Sequence, residues 1–285
     1  MEPPYAIPEM LEPGITRLLA RNPSPYTSTG TQTYIVGTGA SVIVIDPGPD
    51  LAGHVDAIVA AVGDRRIAAI ACTHTHRDHS PAASLLKAAT GAPIIGCGVL
   101  SHDAVGPGAD ASFDPDYAPD GVLGDGEAIE FGEGETLVAV ATPGHTSNHL
   151  CFAYRDALFS GDHVMGWSTT VVVPPDGDMG QFMTSLEKLR QRDDRIFYPA
   201  HGEPVTNPQQ FLRGLIGHRM QREKQILRLL GEDKATIPDI VASAYPGLDQ
   251  RLVPAAGGSV WAHLVDLERR GIVRSDGETW TLTRT

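Results

Sequence analysis

The chain has 285 residues, 22 basic and 35 acidic, for a formal charge of −13, a size that fits one large domain plus a small one. No stretch approaches the ~18 apolar residues of a membrane span, so no membrane partner is expected. Met1-Glu2-Pro3-Pro4-Tyr5 lacks a basic region followed by an apolar segment, and Cys72, Cys97 and Cys151 all sit beside apolar neighbours. Both features predict a cytoplasmic protein with reduced core thiols.

In chain order, residues 33–36 and 41–45 read as a hairpin around Gly37-Thr38-Gly39-Ala40, followed by a helix over 51–62. A buried strand over 66–72 leads into a histidine-rich loop, and 81–90 reads as the helix behind it. After Ile94-Ile95, the Asp-, Pro- and Gly-rich segment 101–124 predicts a long loop near the mouth of a site. Strands recur up to Phe159, a helix covers 179–191, and 196–198 closes the sheet. The alternation predicts an α/β (α+β) fold, a strand-rich sheet with interspersed helices.

Past residue 201 the texture changes. Residues 208–230 read as one long helix bearing Arg213, Arg219, Arg222, Lys224 and Arg228 against Glu223, a net +4 in an acidic protein. That face is either ordinary solvated surface or a patch for a polyanion. Thr236-Ile237-Pro238-Asp239 has the form of a capped helix start, a second helix is expected over 258–270, and 271–282 reads as strand, turn and strand. Two helices and a hairpin resemble a winged-helix module. Residues 232–285 carry 6 basic and 8 acidic residues, or −2, which suits packing or homodimerisation better than duplex DNA. The expected domains are 1–207 (catalytic), 208–231 (connecting basic helix) and 232–285 (winged helix).

The chemistry is concentrated in Thr73-His74-Thr75-His76-Arg77-Asp78-His79. Imidazole nitrogens and a carboxylate suit a borderline-soft divalent metal, and the alternate spacing lets His74 and His76 converge on one ion from an extended loop. Asp78 and His79 can then reach a second ion. A helical site would need its histidines at i and i+4. Three further candidates end β-rich stretches: His145 in Thr142-Pro143-Gly144-His145-Thr146, Asp162 in Ser160-Gly161-Asp162-His163, and His201 in Pro199-Ala200-His201-Gly202.

This order of His-x-His-x-Asp-His, His, Asp and His resembles the metallo-β-lactamase superfamily over residues 30 to 205. Asp46 in Val44-Ile45-Asp46-Pro47-Gly48 is similar to the family's upstream acid, which supports the metal loop from behind. The resemblance implies a four-layer αββα sandwich and two zinc ions per chain, with iron or manganese as alternatives. It also implies the ligands: His74, His76 and His145 for one ion, Asp78, His79 and His201 for the other, and Asp162 as the bridge. A metal-bridging hydroxide would then attack carbonyl or phosphorus, with Asp78 as the catalytic residue that orients it and takes its proton. Asn22-Pro23-Ser24-Pro25, Gly30-Thr31-Gln32-Thr33-Tyr34 and Gly217-His218-Arg219, with the winged helix, resemble the branch containing beta-lactamase-like protein 2.

That branch implies single-stranded RNA as the substrate; the acidic charge and the lack of interleaved aromatics oppose it. A small acyl substrate, by thioesterase, lactonase or weak β-lactamase chemistry, fits the same metals. Secreted antibiotic resistance is disfavoured by the missing signal peptide and by Asp162, where many zinc β-lactamases carry cysteine. A mononuclear iron persulfide dioxygenase uses a similar loop, and a winged-helix regulator with a relic metal domain is the non-enzymatic alternative. Of the other histidines, His54, His102, His218 and His263 read as packed or solvent-facing. His149 is placed to bond a ligand or substrate, and His163 should turn away from the metals. Trp167 reads equally as pocket wall or as packed loop aromatic.

Overall fold

The computed structural model describes residues 3–100, 112–132, 134–231 and 236–283, which form two compact units. The first comprises Met1–Thr142, Asn148–Ser168 and Asp193–Thr206; the second comprises Pro143–Ser147, Thr169–Arg192 and Asn207–Thr285. His102 and residues 101–111 of the expected loop 101–124 lie outside the described residues, as do 232–235.

The first unit is built on two five-stranded sheets. One runs in the order β1 (Glu9–Glu12), β2 (Ile15–Leu19), β3 (Gln32–Val36), β4 (Ser41–Ile45) and β5 (Arg66–Ala71). Its β4–β5 pair is parallel, and the helix α1 (Ala52–Val62) makes the crossover between them. A second helix, α2 (Ala82–Thr90), follows β5. Val55, Ile58 and Val62 recur at helical spacing on α1 and join the same core as the sheet. After a short parallel pair, β6 (Ile95–Gly96) with β7 (Gly121–Val122), come β8 (Ala128–Phe131), β9 (Glu135–Ala141), β10 (Leu150–Tyr154), β11 (Ala157–Gly161) and β12 (Ile196–Pro199). The second sheet takes the order β12-β11-β10-β9-β8.

The two sheets meet through aromatic residues. The Tyr34 ring on β3 lies 4.9 Å from Phe159 on β11 and 5.8 Å from Tyr198 on β12, and its hydroxyl donates to the Pro199 carbonyl at 2.6 Å. Burying each such ring stabilises the sandwich by roughly 1.5–3 kcal/mol. All three cysteines are buried and none forms a disulfide.

In the second unit α3 (Met179–Arg190) packs on α4 (Pro208–Gly231), followed by α5 (Ile237–Ala244), α6 (Val253–Arg269) and the hairpin β13 (Val273–Ser275)–β14 (Trp280–Leu282). Ile226, Leu229 and Leu230 of α4 share a core with Ile240, Val260, Leu264, Val273 and Trp280, giving the expected winged helix its own apolar centre. Thr236 caps α5 by accepting from the Asp239 backbone nitrogen. No described helix is long and apolar enough to cross a membrane.

Three details depart from expectation. The β1–β2 hairpin precedes the first strand expected from the pattern; Gly14, at φ +89°, supplies the left-handed turn that folds Ile15–Leu19 back. Residues 121–122 are strand rather than loop. The helix expected over 258–270 begins at Val253, with Pro254 in its first turn, and runs through Gly257-Gly258. A Cβ at Gly258 would come within 2.6 Å of Val173, so the glycine serves close packing inside the helix rather than marking its start.

Candidate metal centre

The loop 73–79 leaves the C-terminal end of β5 and stays non-helical except for a tight turn, in which the His79 nitrogen donates to the His76 carbonyl at 2.9 Å. Two ring nitrogens, His74 Nε2 and His76 Nδ1, converge to 2.9 Å. The other His74 nitrogen faces Thr73 Oγ1 at 3.0 Å. That hydroxyl spends its proton on Asp46 Oδ2 at 2.8 Å, so it accepts from His74 Nδ1–H and leaves the Nε2 lone pair directed into the cluster.

Asp46 stands just past β4 at φ +47° and gathers the loop. Besides the Thr73 hydroxyl it accepts the Thr73 backbone N–H at 2.8 Å and His79 Nδ1–H at 3.0 Å. His79 is thereby oriented with Nε2 inward, 3.3 Å from Asp78 Oδ2 and 3.6 Å from Asp162 Oδ1, and this nitrogen has no hydrogen-bond partner among the described residues. His201, just past β12, places Nε2 3.2 Å from each of the same two carboxylates, while its Nδ1 donates to the Gly30 carbonyl at 3.1 Å. Asp78, His79 and His201 offer ligand atoms within 4.8 Å of one another, and so do His74, His76 and Asp162.

Burial alone would raise the Asp162 carboxyl, but His201 and His79 beside it hold it well below the usual carboxylate range. Burial likewise would lower His201, yet Asp162 and Asp78 outweigh it and push the ring up to about 10. His79 is raised in the same way, with Asp78 and Asp162 outweighing burial. Two ionised carboxylates thus draw positive charge into a buried cluster of imidazoles. The donor set, with the inward-facing His79 Nε2, fits divalent cations.

His145 lies on the turn 143–147, which belongs to the second unit. Its Nδ1 is 2.6 Å from the Val171 carbonyl, which can only accept, so the proton sits on Nδ1 and Nε2 is the nitrogen available to a ligand. Gly144 is required there: at φ +137°, a Cβ would sit 2.3 Å from the Phe182 backbone.

Several supporting residues escaped the sequence reading. Thr31 Oγ1 lies 3.2 Å from Asp78 Oδ2, and Asn22 clamps Thr31 from both ends, accepting its N–H and donating to its hydroxyl, each at 2.9 Å. Residues 22 and 31 stood in motifs that carried a resemblance but no role. Phe113 lies against His76 with ring centroids 4.7 Å apart, so the described end of the expected loop does reach the cluster. His149 is buried, with Nδ1 2.8 Å from Thr142 Oγ1 and Nε2 3.2 Å from the Asp162 backbone nitrogen. The ring of His163 lies 5.7 Å from that of His149. Trp167 is 42% exposed and packs its inner edge on Gly202, where a Cβ would come within 2.9 Å of it. His54 is buried, its Nε2 2.8 Å from Thr33 Oγ1.

The helix α4 divides its basic residues. Arg213, Lys224 and Arg228 are exposed, whereas Arg219 is only 3% exposed and Arg222 stacks at 3.9 Å on Tyr245. The polyanion patch considered from the sequence therefore loses two of its cations to packing.

Comparison with known proteins agrees with this architecture. The family model described as "Metallo-beta-lactamase superfamily" matches residues 26–201, and that described as "Beta-lactamase associated winged helix domain" matches 236–280. An atrochrysone carboxyl ACP thioesterase of Aspergillus fumigatus is 33% identical, covering 90% of this chain and 78% of its own length. A beta-lactamase-like protein 2 homolog of Caenorhabditis elegans is 32% identical, covering 94% and 88%. Among solved structures, a metallo-beta-lactamase family protein from Thermus thermophilus shares the fold with a TM-score of 0.78 at 21% identity, covering 96% of this chain and 100% of that one. A beta-lactamase domain protein from Burkholderia ambifaria does so with a TM-score of 0.80 at 18% identity, covering 99% and 95%.

Proposed function

This chain belongs to the metallo-β-lactamase superfamily, and from that premise we propose that it is a metal-dependent hydrolase of a thioester or related small acyl compound. The observation that carries the reading is the convergence of Asp78, His79 and His201 in one ligand group and of His74, His76 and Asp162 in another, most of them buried, beside the strand ends. His74, His76 and His145 would hold one divalent ion and Asp78, His79 and His201 a second, with Asp162 shared between them. Zinc suits this nitrogen and oxygen set, as do iron and manganese. Such ions lower the pKa of water and polarise the group under attack.

The residues then divide the remaining work. Asp78, fixed at Oδ2 by Thr31, is placed to take up a proton during hydrolysis. Asp46 and His149 hold His79 and the Asp162 backbone in place from behind. No serine or cysteine nucleophile is required.

The acyl substrate is favoured by electrostatics. A chain of charge −13 repels a polyanion, and α4 keeps only part of its basic face in solvent. The similarity to a protein named as an acyl carrier protein thioesterase points the same way. Cleavage of single-stranded RNA is the second reading, favoured by the exposed indole of Trp167 beside the His201–Gly202 turn, where a base could stack.

The test offers metal-loaded protein an acyl-N-acetylcysteamine thioester and, separately, an end-labelled single-stranded RNA, with a His74→Ala/His76→Ala double variant beside each. Thioester turnover lost in the double variant is the expected result. Cut RNA with an untouched thioester would replace this reading with the second one.

A further inference from the structure

Arg219 is a buried cation in an unusual setting. It has no carboxylate partner among the described residues, and burial lowers its pKa to about 10. Burying a guanidinium without a counter-charge is costly, so its hydrogen bonds should serve a purpose. Its Nη2 donates to the Thr170 carbonyl, Nη1 donates to Ser259 Oγ at 3.2 Å, and the guanidinium lies 5.3 Å over the Phe182 ring. Thr170 is joined directly to Val171, whose carbonyl accepts from His145 Nδ1 at 2.6 Å.

The same turn is held from its other side. The Gly144 carbonyl accepts from the Asp178 backbone nitrogen at 2.9 Å, and the Asp178 side chain accepts from Gln181 at the start of α3 and from Arg269 at the end of α6. Ser147 is tied to Asp176 at 2.5 Å through its hydroxyl, and Ser185 of α3 donates to the Pro143 carbonyl at 2.8 Å. Thus two arginines, from α4 and α6, bond residues next to or bonded to the His145 turn, Arg219 through Thr170 and Arg269 through Asp178, and Ser259 and Arg269 lie inside the segment that matches the winged-helix model.

We propose that α4 and the winged-helix segment that follows it act in cis as a brace for His145, with Arg219 and Arg269 as positioning residues that set its ring through Thr170–Val171 and through Asp178–Gly144. This rests on reading His145 as a metal ligand. A helix bundle at the C-terminus then has a role that requires neither nucleic acid nor a second subunit. Arg219 uses two of its donors at once, on a backbone carbonyl and on a hydroxyl. Lysine carries all its donors on one nitrogen and so does not reproduce the spacing of the two guanidinium nitrogens.

The experiment measures binding of cobalt(II) to the full chain, by competition with a chromophoric chelator and by the visible absorption of the bound ion. The variants are Arg219→Ala, Arg219→Lys, Arg269→Ala and His145→Ala, with thermal unfolding of each metal-free protein alongside. His145→Ala should lose one of two bound ions. Arg219→Ala and Arg269→Ala should weaken that same ion by about 10–100-fold while leaving the other within about twofold, and Arg219→Lys should fall between. A change in the absorption of the weakened ion, beyond any change in melting temperature, separates positioning from general packing. If Arg219→Ala does not fold, Arg219→Lys and Arg269→Ala decide the matter. Wild-type affinity for both ions in the arginine variants, with one ion lost in His145→Ala, would overturn the brace and leave the ligand assignment standing. Two ions retained by His145→Ala would overturn the ligand assignment and the brace together.

Discussion

His149 stands directly behind Asp162, its Nε2 3.2 Å from the Asp162 backbone nitrogen and its Nδ1 2.8 Å from Thr142 Oγ1. A backbone N–H only donates, so Nε2 accepts and the ring proton belongs to Nδ1. The imidazole therefore fixes where β11 releases the Asp162 carboxylate without being a ligand itself. His149→Ala should leave the sandwich folded and lower metal affinity by about 10–100-fold, and His149→Gln, which keeps an acceptor, should lie between. Chelator competition reads the difference; an alanine variant with wild-type affinity would detach His149 from the site.

Asp46 accepts three hydrogen bonds, two from Thr73 and one from His79. Asp46→Asn keeps the shape and tolerates φ +47°, but it turns an amide donor toward at least one of these donors. The expected result is a stability loss of roughly 1–3 kcal/mol and weaker binding of the ion assigned to His79. Urea unfolding with and without metal separates the two effects.

Asp78→Ala should abolish turnover while the fold survives, because this side chain contacts His79, His201 and Thr31 rather than the apolar core. Thr31→Val, which removes the bond to Asp78 Oδ2 together with the one accepted from Asn22, should reduce turnover by a smaller factor. Circular dichroism checks the fold and thioester hydrolysis checks the rate; a fully active Asp78→Ala protein would rule out its role as the proton acceptor.

His263 on α6 is buried and held neutral: burial first, then Arg219, Arg222 and Arg270, lower its pKa to about 3. Its unfolded value is near 6.5, so between those limits the unfolded chain binds the extra proton. The contribution is therefore full above about pH 6.5 and is lost progressively as pH falls toward 3, by about 1.4 kcal/mol per pH unit. His263→Phe should lose about 2 kcal/mol less stability than wild type between pH 7 and pH 5. Parallel denaturation curves for the two proteins across that range would contradict it.

Much of the sandwich was legible because its strands are short apolar runs ending in polar motifs, as at 66–72 before His74 and 196–198 before His201. The grouping of the candidate ligands was legible for a related reason: such residue types at strand ends have few other uses. The β1–β2 hairpin was missed because Ile15–Leu19 alternates only weakly in burial, with Ile15 and Leu18 fully inside and the residues between them half-buried. Thr31 and Phe113 act across long sequence separations, so no local spacing announced them. The burial of Arg219 was equally hidden, since a charge pattern along a helix shows how many cations it carries but not which face packs.

The most direct test of the central claim is the number of metal ions bound per chain, read by elemental analysis after equilibrium dialysis against zinc. Wild type should hold two ions, His74→Ala/His76→Ala one, and His201→Ala one. A wild-type protein that binds a single ion, or double and single variants that still bind two, would contradict the two-metal centre assembled from these residues.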